Sequence, residues 1–217
     1  MNCNTIKLSP QNLIVHLDFL KKNCRYMAYA LDAVGVPSSR QREEGFKTLL
    51  KIVIDQQISV QAGAAIWDRV EKCLGVASPA RTLAVGPKTL QKCGLSKQKT
   101  AYAIELASAV QTEKLDFKGL NNLDDQTVVT QLTRIKGIGI WTAEIYLMFA
   151  LGRPDILPAG DLALQIASQS LLGLKEKPRP TELRCISERW APHRTSAALI
   201  LWKLYRNPSC MINIECK

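Results

Sequence analysis

Between residues 134 and 161 the chain reads RIKGIGIWTAEIYLMFALGRPDILPAGD. Two glycines stand one residue apart, an apolar stretch follows, and a lone aspartate closes the run behind Pro158. Upstream, Asp124 is placed to cap a helix that turns Val128, Leu132 and Ile135 inward and ends at Ile135. A second helix is expected from about Ile140. The turn KGIG must then reverse the chain over a very short connection. Glycine at 137 and 139 permits positive φ there and leaves no side chain over the turn. A helical hairpin is thus predicted within 132–150.

Elsewhere the periodicity is helical as well. Phe46, Leu49, Leu50 and Val53 fall at i, i+3, i+4, i+7, one face of a helix. Ser59 is expected to cap a helix whose Ala62, Ala65, Ile66 and Val70 share an inward face, with Gly75 as its stop. Ser78-Pro79 and Ser96 mark two further helix starts. After Asp161 come LALQIASQSLLG and, past the turn-prone KEKPRP, the helical stretches TELRCISERW and HRTSAALILWKLYR, the latter stopped by Asn207-Pro208. No run of alternating β-branched residues is long enough for a sheet, so the fold is read as all-α. Residues 1–40 carry the weakest signals and are read as an N-terminal segment completing one helical lobe, with GVPSSRQREEG as a polar loop leading into the body at 41–217.

A chain of 217 residues can bury a substantial core. Lys and Arg number 29 against 19 Asp and Glu, a net charge of +10 that favours a polyanionic partner. The cysteines, Cys3, Cys24, Cys73, Cys93, Cys185, Cys210 and Cys216, are scattered without C-x-x-C spacing, which suits free thiols in a reducing compartment better than a zinc site. Residues 1–20 lack a sustained apolar core, so neither a secretory signal nor a membrane span is expected.

Two features carry chemistry. Backbone N–H groups of a glycine turn at the start of a helix can approach a phosphate closely, and Lys136 adds charge beside them. Such contacts hold a nucleic-acid backbone without reading its sequence. The bland alternative is an ordinary tight turn between two helices. Asp161, for its part, stands where it would cap the following helix.

The stretch LTRIKGIGIWTAEIYLMFALGRPDILPAGD resembles the helix–hairpin–helix plus Gly/Pro-Asp signature of the DNA glycosylase superfamily. IVIDQQISVQAGAAIWDRV, CGLSKQKTAYAIELASAV and RPTELRCISERWAPHRTSAALILWKLYR narrow the resemblance to the 3-methyladenine DNA glycosylase II group, over roughly residues 45–206. That resemblance implies two helical lobes with the active site in the cleft between them. It also implies a monofunctional enzyme that flips out alkylated purines such as 3-methyladenine and 7-methylguanine. Hydrolysis of the N-glycosidic bond would leave an abasic site for base excision repair.

On this resemblance Asp161 matches the catalytic aspartate. Trp141 stands where glycosylase-lyases carry a Schiff-base lysine, which counts against that chemistry here. Trp141 and Trp202 match aromatic positions lining the base pocket, and Gln57 falls where the family inserts a wedge into the duplex. Lys136, Gly137, Gly139 and Thr142 complete the DNA-binding positions. The carbonyls of Thr133, Ile135 and Ile138 match a structural monovalent cation site; no other cofactor is expected. The late cysteines lack the iron–sulfur run of more distant relatives, so no cluster is expected. The implied partner is damaged double-stranded DNA, met by a monomer with no membrane association, cytoplasmic beside the nucleoid in a bacterium or nuclear in a eukaryote.

Other charged residues read as structural. Asp155 is taken as a loop residue, His193 as a surface or packing histidine, and Lys97, Lys99 and Arg194 as solvated charge. Two alternative functions stand beside the main one: a non-catalytic DNA-binding hairpin module, and a glycosylase-lyase for oxidised bases. The preferred lesion is not written in any motif.

Overall fold

Every regular element among the described residues, 7–211, is helical in the computed structural model. These residues form two units, one from 7–41 with 152–211 and the other Arg42–Leu151.

The first unit begins with α1 (Leu13–Asn23) and α2 (Arg25–Val34), separated only by the extended Cys24. Both lie within residues 1–40, where the sequence signals are weakest. Leu13, Leu17 and Leu20 recur at helical spacing and are buried, and ahead of α1 Ser9 Oγ accepts the Asn12 N–H at 3.3 Å while Asn12 Oδ1 accepts the Ser9 N–H at 2.8 Å, whereas α2 opens on Cys24 without a side-chain cap.

The second unit opens with α3 (Phe46–Asp55), whose Phe46, Leu49, Leu50 and Val53 are buried as the spacing predicts. Ser59 caps α4 (Val60–Leu74) by accepting from the Ala62 N–H at 3.2 Å, and Gly75 ends it at positive φ. The inward face of α4 differs from the expected one. Gly63, Trp67, Val70 and Leu74 are buried, whereas Ala62 and Ala65 are exposed and Ile66 is half-buried. Sterics explain the rotation: a Cβ at Gly63 would lie 2.3 Å from Asp55 Oδ1, so the chain turns a glycine rather than an alanine toward α3. Burying Trp67 offsets the alanine surface left outside.

Ser78 and Ser96 cap α5 (Pro79–Lys92) and α6 (Lys97–Gln111) as expected. Gly86 takes positive φ before Pro87 and breaks α5 into two segments, because proline offers no N–H and disfavours a helical residue before it. Asp124 caps α7 (Asp125–Thr133), which ends just short of the expected Ile135. The last helix of this unit, α8 (Ile140–Phe149), is buried continuously from Thr142 to Phe149 and forms the unit's apolar centre. Tyr146 on α8 accepts the Gly45 N–H at 2.8 Å, anchoring the start of α3, and burial pushes its phenol up to about 12.

The chain then returns to the first unit. α9 (Leu162–Leu172) ends on Gly173 in the left-handed region, and α10 (Pro180–Ser187) starts on a proline. α11 (Arg194–Tyr205) packs on α9 and on α2. Its Ala197, Ala198 and Leu201 are buried in the same core as Leu164, Ala167 and Leu171 of α9 and Met27, Ala30 and Leu31 of α2. No helix among the described residues is long and apolar enough to cross a membrane.

Candidate functional site

The hairpin joins α7 to α8 through 134–139, closed by Ile135 N–H to the Leu132 carbonyl at 3.1 Å and Ile138 N–H to the Ile135 carbonyl at 3.0 Å. Its two glycines differ in kind. Gly137 has φ +94, and a Cβ there would meet the Tyr102 ring of α6 at 2.1 Å. That position needs glycine for backbone conformation and for packing alike. Gly139 is extended, with φ −90 and ψ 175, and a Cβ would meet nothing within 4 Å. The positive φ that both glycines permit is thus used at Gly137 alone, and the Gly139 backbone runs as any residue's could.

What Gly139 does instead is leave the start of α8 open. It is the N-cap residue of that helix, and no side chain caps it. The first amides of a helix have no intrahelical acceptor and carry the positive end of the helix dipole. Gly139 and Ile140 are exposed there, with Lys136 exposed nearby in sequence and Trp141 half-buried. An anion from outside would find backbone N–H groups and no side chain in the way.

Gln56, at the end of α3, ties this hairpin down. Its Nε2 donates to the Gly137 carbonyl and to Thr142 Oγ1, both at 2.9 Å. Thr142, counted by sequence with the DNA-binding positions, is 2% exposed and meets the hairpin from within. The next residue, Gln57, is exposed and has φ 55, a conformation uncommon for a residue with a Cβ and one that lifts it off the end of α3. Lys99 of α6 braces the same corner by donating to the Ile54 carbonyl at 2.7 Å, and desolvation lowers its pKa. It is not the solvated charge that its sequence suggests.

Neutral amide oxygens without a carboxylate suit a singly charged cation better than a divalent one. The carbonyls expected to hold a cation are those of Thr133, Ile135 and Ile138. That of Ile135 already accepts the turn bond, and a second lone pair remains to a carbonyl so engaged.

In the other unit, Asp161 caps α9 by accepting the Leu164 N–H at 3.1 Å on Oδ1. The same oxygen accepts Trp202 Nε1–H of α11, also at 3.1 Å. Two donors from two helices therefore fix the rotation of the carboxylate. Trp202 is 7% exposed, and the Arg40 guanidinium lies over its ring at 5.1 Å from the centroid.

The loop leading to Asp161 is secured by the start of α11. Thr195 Oγ1 donates to the Arg153 carbonyl at 2.7 Å and accepts the Ile156 N–H at 3.1 Å. Arg194 grips Asp155 with Nε on Oδ1 at 2.8 Å and Nη2 on Oδ2 at 2.7 Å, and reaches Glu188 at 2.9 Å. Asp155 is thus the structural residue expected, whereas Arg194 is engaged rather than solvated. His193 packs on Phe19, ring centroids 4.4 Å apart, and shares a 2.7 Å Nδ1–Nδ1 contact with His16. Burial lowers the pKa of both imidazoles, and in His16 the neighbouring His193 lowers it further.

Sequence reasoning missed Gln56, Tyr102 and Arg40. The doubled glutamine of DQQIS hinted at one exposed and one inward side chain. Tyr102 and Arg40 meet partners distant in sequence, and no local pattern marks them.

Residues 50–193 match the model of the HhH-GPD superfamily, described as base excision DNA repair proteins. The chain is 29% identical over 193 residues to DNA-3-methyladenine glycosylase 1 of Schizosaccharomyces pombe, covering 87% of this chain and 85% of that protein. A solved structure titled S. pombe 3-methyladenine DNA glycosylase (Mag1) in complex with abasic DNA superposes with a TM-score of 0.83 at 27% identity, over 88% of this chain and 97% of the other. A crystal structure titled DNA-3-methyladenine glycosidase from Bacillus halodurans gives a TM-score of 0.75 at 33% identity, over 94% and 93% of the two chains.

Proposed function

The chain belongs to the HhH-GPD superfamily of base excision DNA repair proteins, and from that premise we propose a monofunctional DNA glycosylase acting on alkylated purines in double-stranded DNA. The observation that carries this reading is Asp161, a carboxylate held in one rotation by the Leu164 and Trp202 N–H groups. The S. pombe and B. halodurans relatives, named for 3-methyladenine, support the substrate class.

Chemistry assigns the parts. Backbone amides at the start of α8 grip a phosphate, with Lys136 adding charge and the exposed Gln57 serving as the wedge that fills the gap left by the flipped nucleotide. A monovalent cation on the Thr133, Ile135 and Ile138 carbonyls would add positive charge beside that phosphate. Asp161 faces the sugar. As the bond from C1′ to the base nitrogen breaks, its electron pair leaves with the base and positive charge builds on the sugar, where the carboxylate stabilises it. Water, oriented by Asp161, then adds to C1′ and passes its proton to that carboxylate.

A 3-methyladenine or 7-methylguanine base is already cationic and leaves neutral, so no second carboxyl is required to protonate it, unlike the usual O-glycosidase pair. Trp202, whose indole N–H holds Asp161, offers electron-rich surface to such a base. With tryptophan at 141 rather than lysine no Schiff base forms, and the product is an abasic site in an uncut strand.

Incubation with DNA treated with a methylating agent, followed by chromatography of released bases, tests this directly. Release of 3-methyladenine or 7-methylguanine, with strand cleavage only after alkali, is expected. Cleavage without alkali would point to a lyase, and DNA binding without release to a hairpin binding module.

A further inference from the structure

Trp202 lies between two opposite charges. Its indole N–H meets the Asp161 carboxylate at 3.1 Å, and the Arg40 guanidinium lies over its ring at 5.1 Å, within the range of cation–π attraction. The placement of Arg40 is built into the unit rather than left to a loose loop. Lys203, next to Trp202 on α11, donates to the Val36 carbonyl at 2.8 Å and pins the irregular segment that carries Arg40. A Cβ at Gly35 would sit 3.6 Å from the same Lys203 Nζ, so the chain passes α11 closely.

A guanidinium and an N-alkylated purine are alike in the respect that matters here. Both are planar, delocalised cations that seek the electron-rich face of an indole. If both take the same face of Trp202, the base must displace Arg40. If they take opposite faces, they share one ring's electron density and repel through it. Displacement costs any base that takes the occupied face, whereas repulsion through the ring is a cost that a cationic base alone bears, and it is this second arrangement that discriminates by charge.

We propose that Arg40 is a specificity-determining residue that sets how strongly the base pocket favours cationic over neutral lesion bases. The arrangement tempers the preference that bare indole faces would give and widens the pocket toward neutral modified purines. This rests on the reading of Trp202 as a wall of that pocket.

The test is equilibrium binding of the full chain to three duplexes: one with 7-methylguanine on a 2′-fluoro sugar that resists hydrolysis, one with hypoxanthine, and one undamaged. Arg40→Gln removes the charge, and Arg40→Lys keeps it. The ratio of affinities for 7-methylguanine over hypoxanthine should rise roughly two- to tenfold in Arg40→Gln and stay within about twofold in Arg40→Lys. A purely structural or phosphate-binding role for Arg40 would weaken all three duplexes by one factor and leave the ratio unchanged, which overturns the proposal. Failure of the underlying reading looks different: wild type would prefer neither lesion to undamaged DNA and would release no base from methylated DNA.

Discussion

α8 and α9 both begin at short turns, yet their first amides are provided for in opposite ways. α9 opens on Asp161, whose carboxylate satisfies a helix N–H from within the chain. α8 opens on Gly139, with no side-chain cap and open space where a Cβ would stand. One helix start holds its own anion, and the other has no side-chain cap. Under the proposed function, a single fold feature, the electropositive helix N-terminus, would orient a reactive carboxylate in one place and receive a phosphate in another.

The comparison can be broken at either end. Asp161→Asn should retain the cap, since asparagine caps as well as aspartate, and so leave the melting temperature and DNA affinity nearly unchanged. Base release should nevertheless fall on the order of 10²–10³-fold, as removal of a group opposing transition-state charge does. Gly139→Asp supplies α8 with the cap it lacks, in a backbone conformation that aspartate readily adopts. The fold should be kept or slightly stabilised, while DNA binding, measured by fluorescence anisotropy, weakens roughly ten- to hundredfold by like-charge repulsion.

The two hairpin glycines sharpen the contrast. Gly137→Ala forces a methyl into the Tyr102 ring at positive φ and should cost about 1–3 kcal/mol in denaturant unfolding, whereas Gly139→Ala should cost almost nothing. Gln56→Leu removes the donor to Gly137 and Thr142 and should cost about 1 kcal/mol, with weaker DNA binding as the hairpin loosens.

The smallest effect is expected at the histidine pair. His16 and His193 both titrate below their ordinary 6.5, so they are held neutral in the folded state and the unfolded chain takes up protons first. Stability present above pH 6.5 is therefore lost as pH falls through and below that value. His193→Phe, which keeps an aromatic against Phe19, should flatten the pH dependence of the melting temperature on the acid side.

Much of this arrangement was legible in the sequence because helix punctuation is local. Ser59, Ser78, Ser96, Asp124 and Asp161 each cap the helix that their position announces. The glycine hairpin fell where its spacing placed it, though the two glycines serve different ends. Less was legible where tertiary packing decides. α2 follows α1 across the single residue Cys24 with no side-chain cap to announce it, and the inward face of α4 is set by Gly63 against Asp55 rather than by its alanines. At the site, Asp161 stood out by motif, but its fixed rotation depends on Trp202 far along the chain. The charge over that indole comes from Arg40, in a segment without periodicity.

The most direct test is the single-turnover rate of 7-methylguanine release as a function of protein concentration, for wild type, Asp161→Asn and Gly139→Asp. The expected result is a clean separation: Asp161→Asn lowers the plateau rate with the half-saturating concentration unchanged, and Gly139→Asp raises that concentration with the plateau largely kept. A normal plateau for Asp161→Asn, or a Gly139→Asp variant that saturates like wild type, would contradict the division of labour between the two helix starts.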